Sequence, residues 1–106
     1  MLEFNGKTVL ITGGTSGIGL AAAEQFVRRG GAVVVAGRGT DKGEAAVRRL
    51  VGLGGRAAFV RTDVRDEAQV ENLVAETLTT FGRLDVLVTS AGVIKRTHLT
   101  DLDQAE

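Results

Sequence analysis

The sequence predicts an α/β fold: a doubly wound parallel sheet with helices on both faces, built in the order βαβαβαβ with strand order 3-2-1-4. Three observations predict it. Short β-branched apolar runs alternate with stretches whose apolar residues recur at helical spacing, the pattern of buried strands joined by crossover helices. A glycine-rich turn, Gly13–Gly19, separates the first apolar run from the first helical stretch. The 106 residues contain no Pro, no internal repeat and no linker, so they fit one domain and not two.

Each element follows from local pattern. Lys7–Thr12 (KTVLIT) is an apolar run without polar alternation, the mark of a strand buried on both faces. From Ile18 to Arg29 the apolar positions Ile18, Ala21, Ala22 and Phe26 take helical spacing, and Gly30-Gly31 ends the helix. Ala32–Ala36 (AVVVA) is a second buried strand. Asp41 to about Leu53 is a second helix with Ala46, Val47, Leu50 and Val51 as its stripe, and Gly52, Gly54 and Gly55 loosen its end. Ala57–Arg61 (AAFVR) is a third strand. Asp66 and Gln69 have the N-cap and N3 spacing of a capping box, and Val70, Leu73, Val74, Leu78 and Phe81 form the stripe of a third helix that stops at Gly82. Leu84–Val88 (LDVLV) is a fourth strand, a loop follows, and Thr100-x-x-Asp103 marks the start of a fourth helix. Right-handed crossovers then fix the winding, and the order 3-2-1-4 puts the switch point, where such sheets bind ligands, between strands 1 and 4.

Composition excludes several chemistries. There is no Cys, which removes disulfides, thiolate metal sites and Cys nucleophiles. There is no Tyr, and His98 is the single His, too few for a metal site in a chain without Cys. No apolar run approaches membrane-spanning length, and the N-terminus lacks a basic stretch followed by an apolar one, so a cytoplasmic protein is expected. The net charge is zero, but basic side chains dominate residues 1–62 and acidic ones dominate 63–106. That split suits either two solvated faces or an anion site in the first half. No basic block is interleaved with aromatics, which argues against nucleic acid.

The chemistry-bearing residues cluster after the strands. In Thr12-Gly13-Gly14-Thr15-Ser16-Gly17-Ile18-Gly19 the glycines allow a sharp turn, close approach of backbone to a pyrophosphate, and tight packing of helix on sheet. The N–H groups at the helix start then hold the anion, and Thr15 and Ser16 add hydroxyl donors. Gly37-Arg38 follows strand 2, where an NAD site usually places an acid for the ribose 2′-hydroxyl. Arg38 instead offers a planar fork for a 2′-phosphate, which favours NADP over NAD, although a plain surface arginine would look the same. Asp63-Val64 follows strand 3; the carboxylate there can accept from an adenine amino group or simply serve a turn. Thr89-Ser90-Ala91-Gly92 follows strand 4, and its small residues let backbone lie against a ribose and nicotinamide. Ser16 and Ser90 stand outside any G-x-S-x-G elbow, so a serine hydrolase is not expected.

These motifs resemble the short-chain dehydrogenase/reductase family over the whole chain. Thr12–Gly19 matches that family's TGxxxGxG pattern, Asp63 falls where the family has its adenine-binding Asp, and Thr89–Gly92 falls where it usually has Asn-Asn-Ala-Gly, here with Thr89 and Ser90 in place of both Asn. The resemblance implies a Rossmann-type NADP-binding domain over residues 1–106, incomplete and ending as its fourth helix begins. It implies hydride transfer between the nicotinamide and a carbonyl or alcohol on a small molecule. The family's catalytic Ser, Asn and Tyr-x-x-x-Lys map to no residue here, so the isolated chain is expected to be inactive. The alternatives are a non-catalytic NADP-binding module and a non-functional fragment. Strand 4 is expected to form an exposed apolar edge and to drive self-association.

Overall fold

The computed structural model describes residues 3–89 and the backbone of residues 92–95. The described elements are β1 (Thr8–Thr12), α1 (Gly17–Arg28), β2 (Ala32–Gly37), α2 (Thr40–Gly52), β3 (Arg56–Arg61), α3 (Glu67–Phe81), β4 (Val86–Thr89) and β5 (Gly92–Lys95). The expected start of a fourth helix at Thr100–Asp103 lies outside the described residues, as do Ser90, Ala91 and His98.

One sheet runs in the order β3-β2-β1-β4-β5. β1 pairs in parallel with β2 and β4, and β2 in parallel with β3. The expected 3-2-1-4 order is therefore present, with the switch point between β1 and β4. β5 was expected to be loop. It pairs antiparallel with β4, Val86 opposite Lys95 and Thr89 opposite Gly92. This corrects the expectation of an exposed β4 edge. A strand with unpaired N–H and C=O groups along one side accepts an extended segment, and here the chain's own next segment takes that place.

The strand period of two sorts the core into two layers. Val9 and Ile11 of β1 and Val33 and Val35 of β2 face α1 and α2, where Ala23, Val27, Ala46 and Leu50 close the layer. Leu10, Val34 and Ala36 face the other way, against Leu73 of α3. Both faces of β1 and β2 are covered, which is why β2 is apolar throughout and β1 is apolar between Thr8 and Thr12.

The helical stripes need three corrections. In α1 the buried residues are Ala23 and Val27, whereas Ile18 is 91% exposed and Ala21 is exposed as well. In α2 Val51 is 52% exposed, and Gly43 is buried beside Ala46 and Leu50. A Cβ on Gly43 would overlap the Phe59 ring of β3, so the missing side chain sets how closely the helix lies on the sheet. In α3 the core position is Thr77 and not Leu78, which is 46% exposed. The Thr77 hydroxyl donates to the Leu73 carbonyl at 2.8 Å, so its one polar atom is satisfied inside the helix and the rest of the side chain packs as an apolar one.

At the end of the sheet away from the glycine turn, Asp85 joins the starts of β1 and β4. The Thr8 N–H donates to Asp85 Oδ2 at 2.9 Å, and the Asp85 N–H donates to the Thr8 carbonyl at 2.9 Å. Arg83 grips the same carboxylate through two contacts of 2.7 Å. Asp85 therefore precedes the strand, which starts at Val86 and not at Leu84.

Candidate functional site

The glycine turn leaves β1 at its C-terminal end. The Gly13 N–H donates to the Ala36 carbonyl at 2.9 Å, tying the turn to β2. Gly13 and Gly17 have φ of +71° and +57°, conformations that L side chains avoid, and a Cβ on either would point into open space. Gly14 and Gly19 do the packing. A Cβ on Gly14 would come within 2.8 Å of Val35, and one on Gly19 would overlap the Gly13 carbonyl. The turning and packing roles therefore fall on different glycines of the motif, and the glycine facing the sheet is Gly14, which the sequence did not single out.

The N-terminus of α1 opens onto this turn. Its N-cap, Ser16, is extended at φ −159°, makes no side-chain capping bond, and is followed by no acid in the first turn. The positive end of the helix dipole and its N–H groups therefore face the turn without a carboxylate beside them. Ile18 sits on the same end, exposed, so it contributes to no described core layer.

Arg38 follows β2 and stands between two open cavities. One, of about 550 Å³, is lined by Thr15, Ser16, Arg38, Gly39, Thr40, Asp41 and Lys42. The N-cap of α2, Gly39, has no side chain to cap the helix. Asp41 lies in the first turn of α2, as expected. The other cavity, of about 300 Å³, is lined by Gly13, Ala36, Gly37, Arg38, Thr62, Asp63, Val64 and Arg65. The structure thus brings Gly13, Thr15, Ser16, Arg38, Asp63 and Val64, drawn from three different strand ends, to one side of the sheet.

Asp63 is held more tightly than a turn residue needs. Its Oδ1 accepts from the Arg65 N–H and Nε at 3.0 and 3.1 Å, and its Oδ2 from an Arg65 terminal nitrogen at 3.0 Å. These bonds to Arg65, helped by the charge of Arg38, hold the Asp63 carboxyl down at about 2. The Asp63 N–H donates to Gln69 Oε1 at 2.8 Å. Gln69 Nε2 in turn donates to Asp66 Oδ2 at 3.2 Å, while Asp66 Oδ1 accepts from the Ala68 and Gln69 N–H groups as the N-cap of α3. The capping pair is real, but its glutamine reaches past the N-cap to Asp63. Arg65 and Gln69 are the residues that sequence reasoning missed at this site. The signal for Arg65 was its place two residues after Asp63, within reach of a carboxylate in a turn. Val64 is exposed and borders the same cavity.

Thr89 ends β4 with its side chain half-buried, and Gly92 opens β5. The Thr12 hydroxyl donates to the Val88 carbonyl at 3.5 Å, so the first and fourth strand ends are linked across the switch point. Among the described residues no group of three or more His, Asp or Glu is placed to hold a metal. No described helix is long and apolar enough to cross a membrane.

A strand-turn-helix glycine motif at the switch point of a parallel sheet defines a nucleotide-binding class of α/β protein. The chain belongs to the short chain dehydrogenase family, whose profile matches residues 7–106. It is 40% identical over 105 residues to an uncharacterized oxidoreductase of Thermotoga maritima, covering 99% of this chain and 41% of that protein. It is 39% identical over 94 residues to a 3beta-hydroxysteroid dehydrogenase of Mediterraneibacter gnavus, covering 89% of this chain and 34% of that one. Among solved structures, a short-chain type dehydrogenase/reductase from Mycobacterium ulcerans superposes with a TM-score of 0.80 at 36% identity, over 84% of this chain and 34% of that one. An actinorhodin polyketide ketoreductase with NADPH (TM-score 0.77, 36% identity, 79% and 32% of the two chains) and an NAD+-bound xylitol dehydrogenase (0.78, 32%, 80% and 33%) share the fold as well. The chain spans less than half the length of these relatives and matches their N-terminal part.

Proposed function

We propose that this chain is the NADP(H)-binding part of an oxidoreductase that passes hydride between a nicotinamide and a small carbonyl or alcohol substrate in the cytoplasm. The observation that carries the cofactor preference is the placement of Arg38. It stands where β2 gives way to α2, beside a helix start that has no capping side chain, with Thr15, Ser16 and Lys42 around the same 550 Å³ cavity. A 2′-phosphate there meets a planar guanidinium, hydroxyl donors and the positive end of a helix dipole.

The fit of a dinucleotide rests on the turn itself. Gly13 and Gly17 leave open the space that two β-carbons would take, so a pyrophosphate can approach the N–H groups of α1. Ile18, exposed beside that space, gives the cofactor an apolar contact. Asp63 accepts from the adenine amino group with Val64 beside the base, and Thr89, Ala91 and Gly92 lie against the nicotinamide riboside. The bound nicotinamide supplies the hydride; these residues bind and orient it. The 106 residues contain no Tyr to protonate a carbonyl oxygen, so this chain alone binds without turnover. It also self-associates along the side of the sheet that carries β4 and β5.

Titrating NADPH and NADH against the chain and against Arg38→Ala tests the reading. The substitution weakens NADPH by roughly tenfold to a hundredfold, the worth of a hydrogen-bonded charged contact, and spares NADH. Equal losses for both cofactors would take the 2′-phosphate away from Arg38. Asp41 lines the same cavity, so a chain that binds NADH more tightly than NADPH assigns the ribose hydroxyls to that carboxylate instead.

A further inference from the structure

We propose that Arg65 is a positioning residue for base recognition: it holds the Asp63 carboxylate in one orientation, so that the 300 Å³ cavity accepts a 6-amino purine and rejects a 6-oxo purine. The inference rests on the cofactor reading above, which already gives Asp63 the adenine amino group, and adds to it the residue that holds that carboxylate in place.

A carboxylate has about four lone-pair directions, two on each oxygen. Arg65 fills both on Asp63 Oδ1, through its backbone N–H and its Nε, and one on Oδ2 through a terminal nitrogen. The single direction left is on Oδ2, and Asp63 lines a cavity whose walls include Gly13, Arg38, Val64 and Arg65 itself. The backbone of Asp63 is fixed independently, by the Gln69 amide accepting its N–H and by the Asp66 N–H donating to its carbonyl at 3.0 Å. With its backbone fixed and three of its acceptor directions bonded to Arg65, the carboxylate turns away from a ligand that repels it only by giving up those bonds. An exocyclic amine can donate to the remaining lone pair. A 6-oxo group brings a second acceptor to the same point, and Asp63 relieves the repulsion only by breaking its contacts with Arg65. Arg65 itself is 75% exposed and borders the same cavity as the carboxylate it holds.

Isothermal titration of NADPH and of its hypoxanthine counterpart against the chain, Arg65→Ala and Arg65→Lys tests the inference. The unsubstituted chain prefers the adenine form by about tenfold or more, the discrimination expected of one hydrogen bond to a charged acceptor. Arg65→Ala frees the carboxylate to rotate and cuts that preference to about threefold or less, with the thermal midpoint moved little because an exposed ion pair stabilises little. Arg65→Lys recovers part of the preference, since one ammonium can still hold one oxygen. A preference unchanged or sharpened in Arg65→Ala overturns the inference, the second outcome making Arg65 a competitor for the carboxylate. Binding of neither dinucleotide by the unsubstituted chain sinks the cofactor reading. Equal binding of both removes Asp63 from base recognition, and Arg65 with it, while leaving the cofactor reading intact.

Discussion

At the scale of single residues, the glycine motif separates into positions where a side chain is sterically excluded and positions where only space is at stake. Gly19→Ala drives a methyl group into the Gly13 carbonyl, a backbone atom that cannot rotate away. The expected cost is at least about 1–3 kcal/mol, the range for overpacked sites. Gly52→Ala sits at the end of α2 with nothing near its would-be Cβ. It is expected to be neutral or to stabilise by up to about 1 kcal/mol through chain entropy and helix propensity. Urea denaturation of both variants checks the contrast, and equal effects would contradict the geometry of the turn. The type and spacing of these residues were legible in the sequence, as were Arg38 and Asp63 as polar residues just past strand ends. Ile18 was misread because helical spacing cannot tell an apolar side chain aimed at the sheet from one aimed past the helix start. The Arg65 clamp was hidden because a carboxylate two residues from an arginine is ordinary on a surface, and only a fixed turn makes the pair bidentate.

At the scale of elements, what was legible depended on whether local pattern or a neighbour decides the outcome. β1 and β2 declared themselves because burial on both faces removes charged residues and the polar alternation of a surface strand. α3 declared its start through Asp66 and Gln69, and Asp66→Ala, which strips the cap from two N–H groups, is expected to cost about 1 kcal/mol in thermal or denaturant unfolding. No change in stability would make the cap ornamental. β5 could not be foreseen, because Gly92–Lys95 becomes a strand only by lying against β4. The start of β4 was misplaced for a related reason: Asp85 in LDVLV looks like an alternating strand residue, but Thr8 and Arg83 recruit it as a clamp. Burial pushes the Asp85 carboxyl up, yet the hydrogen bonds from Arg83 and Thr8, with Lys7 nearby, more than offset it and leave the group more acidic than usual. Asp63 is shifted the same way. A carboxyl that is more acidic when folded means that the unfolded chain binds more protons as the pH falls below about 4, so stability is full above that range and drains away toward pH 2. Asp85→Asn is expected to cost about 2 kcal/mol at neutral pH, the worth of losing a charged hydrogen-bond partner, and to flatten the acid limb of the stability curve. An acid limb as steep as that of the unsubstituted chain would assign it to other carboxylates.

At the scale of the whole molecule, the two faces and the two edges of the sheet are unequally protected. Among the described residues α1 and α2 together cover one face, whereas α3 alone covers the other, where Ala58, Val60, Leu84 and Leu87 are partly buried. The outer edge of β3 begins and ends on the exposed charges of Arg56 and Arg61, which discourage another strand from pairing there. β5 has no neighbour on its outer side among the described residues. The 106-residue chain is therefore expected to associate through β5, with backbone groups pairing across the contact and apolar surface of the α3 face buried beside it. Sedimentation velocity over a range of concentrations should give an average mass above 11.1 kDa that rises with concentration. Because the formal net charge is zero and the contact is made by backbone hydrogen bonds, raising the salt should leave the association in place. NADPH should leave it in place as well, since the dinucleotide is proposed to lie past the C-terminal ends of β1 to β4 and not along the edge. At about a hundred times its dissociation constant it should add about 2.7 kcal/mol to the stability of the folded chain whether or not that chain is associated. A monomer at every concentration removes the edge contact from the account. An association that dissolves in salt transfers it to the basic surface of residues 1–62 meeting the acidic surface of residues 63–106 in a second copy.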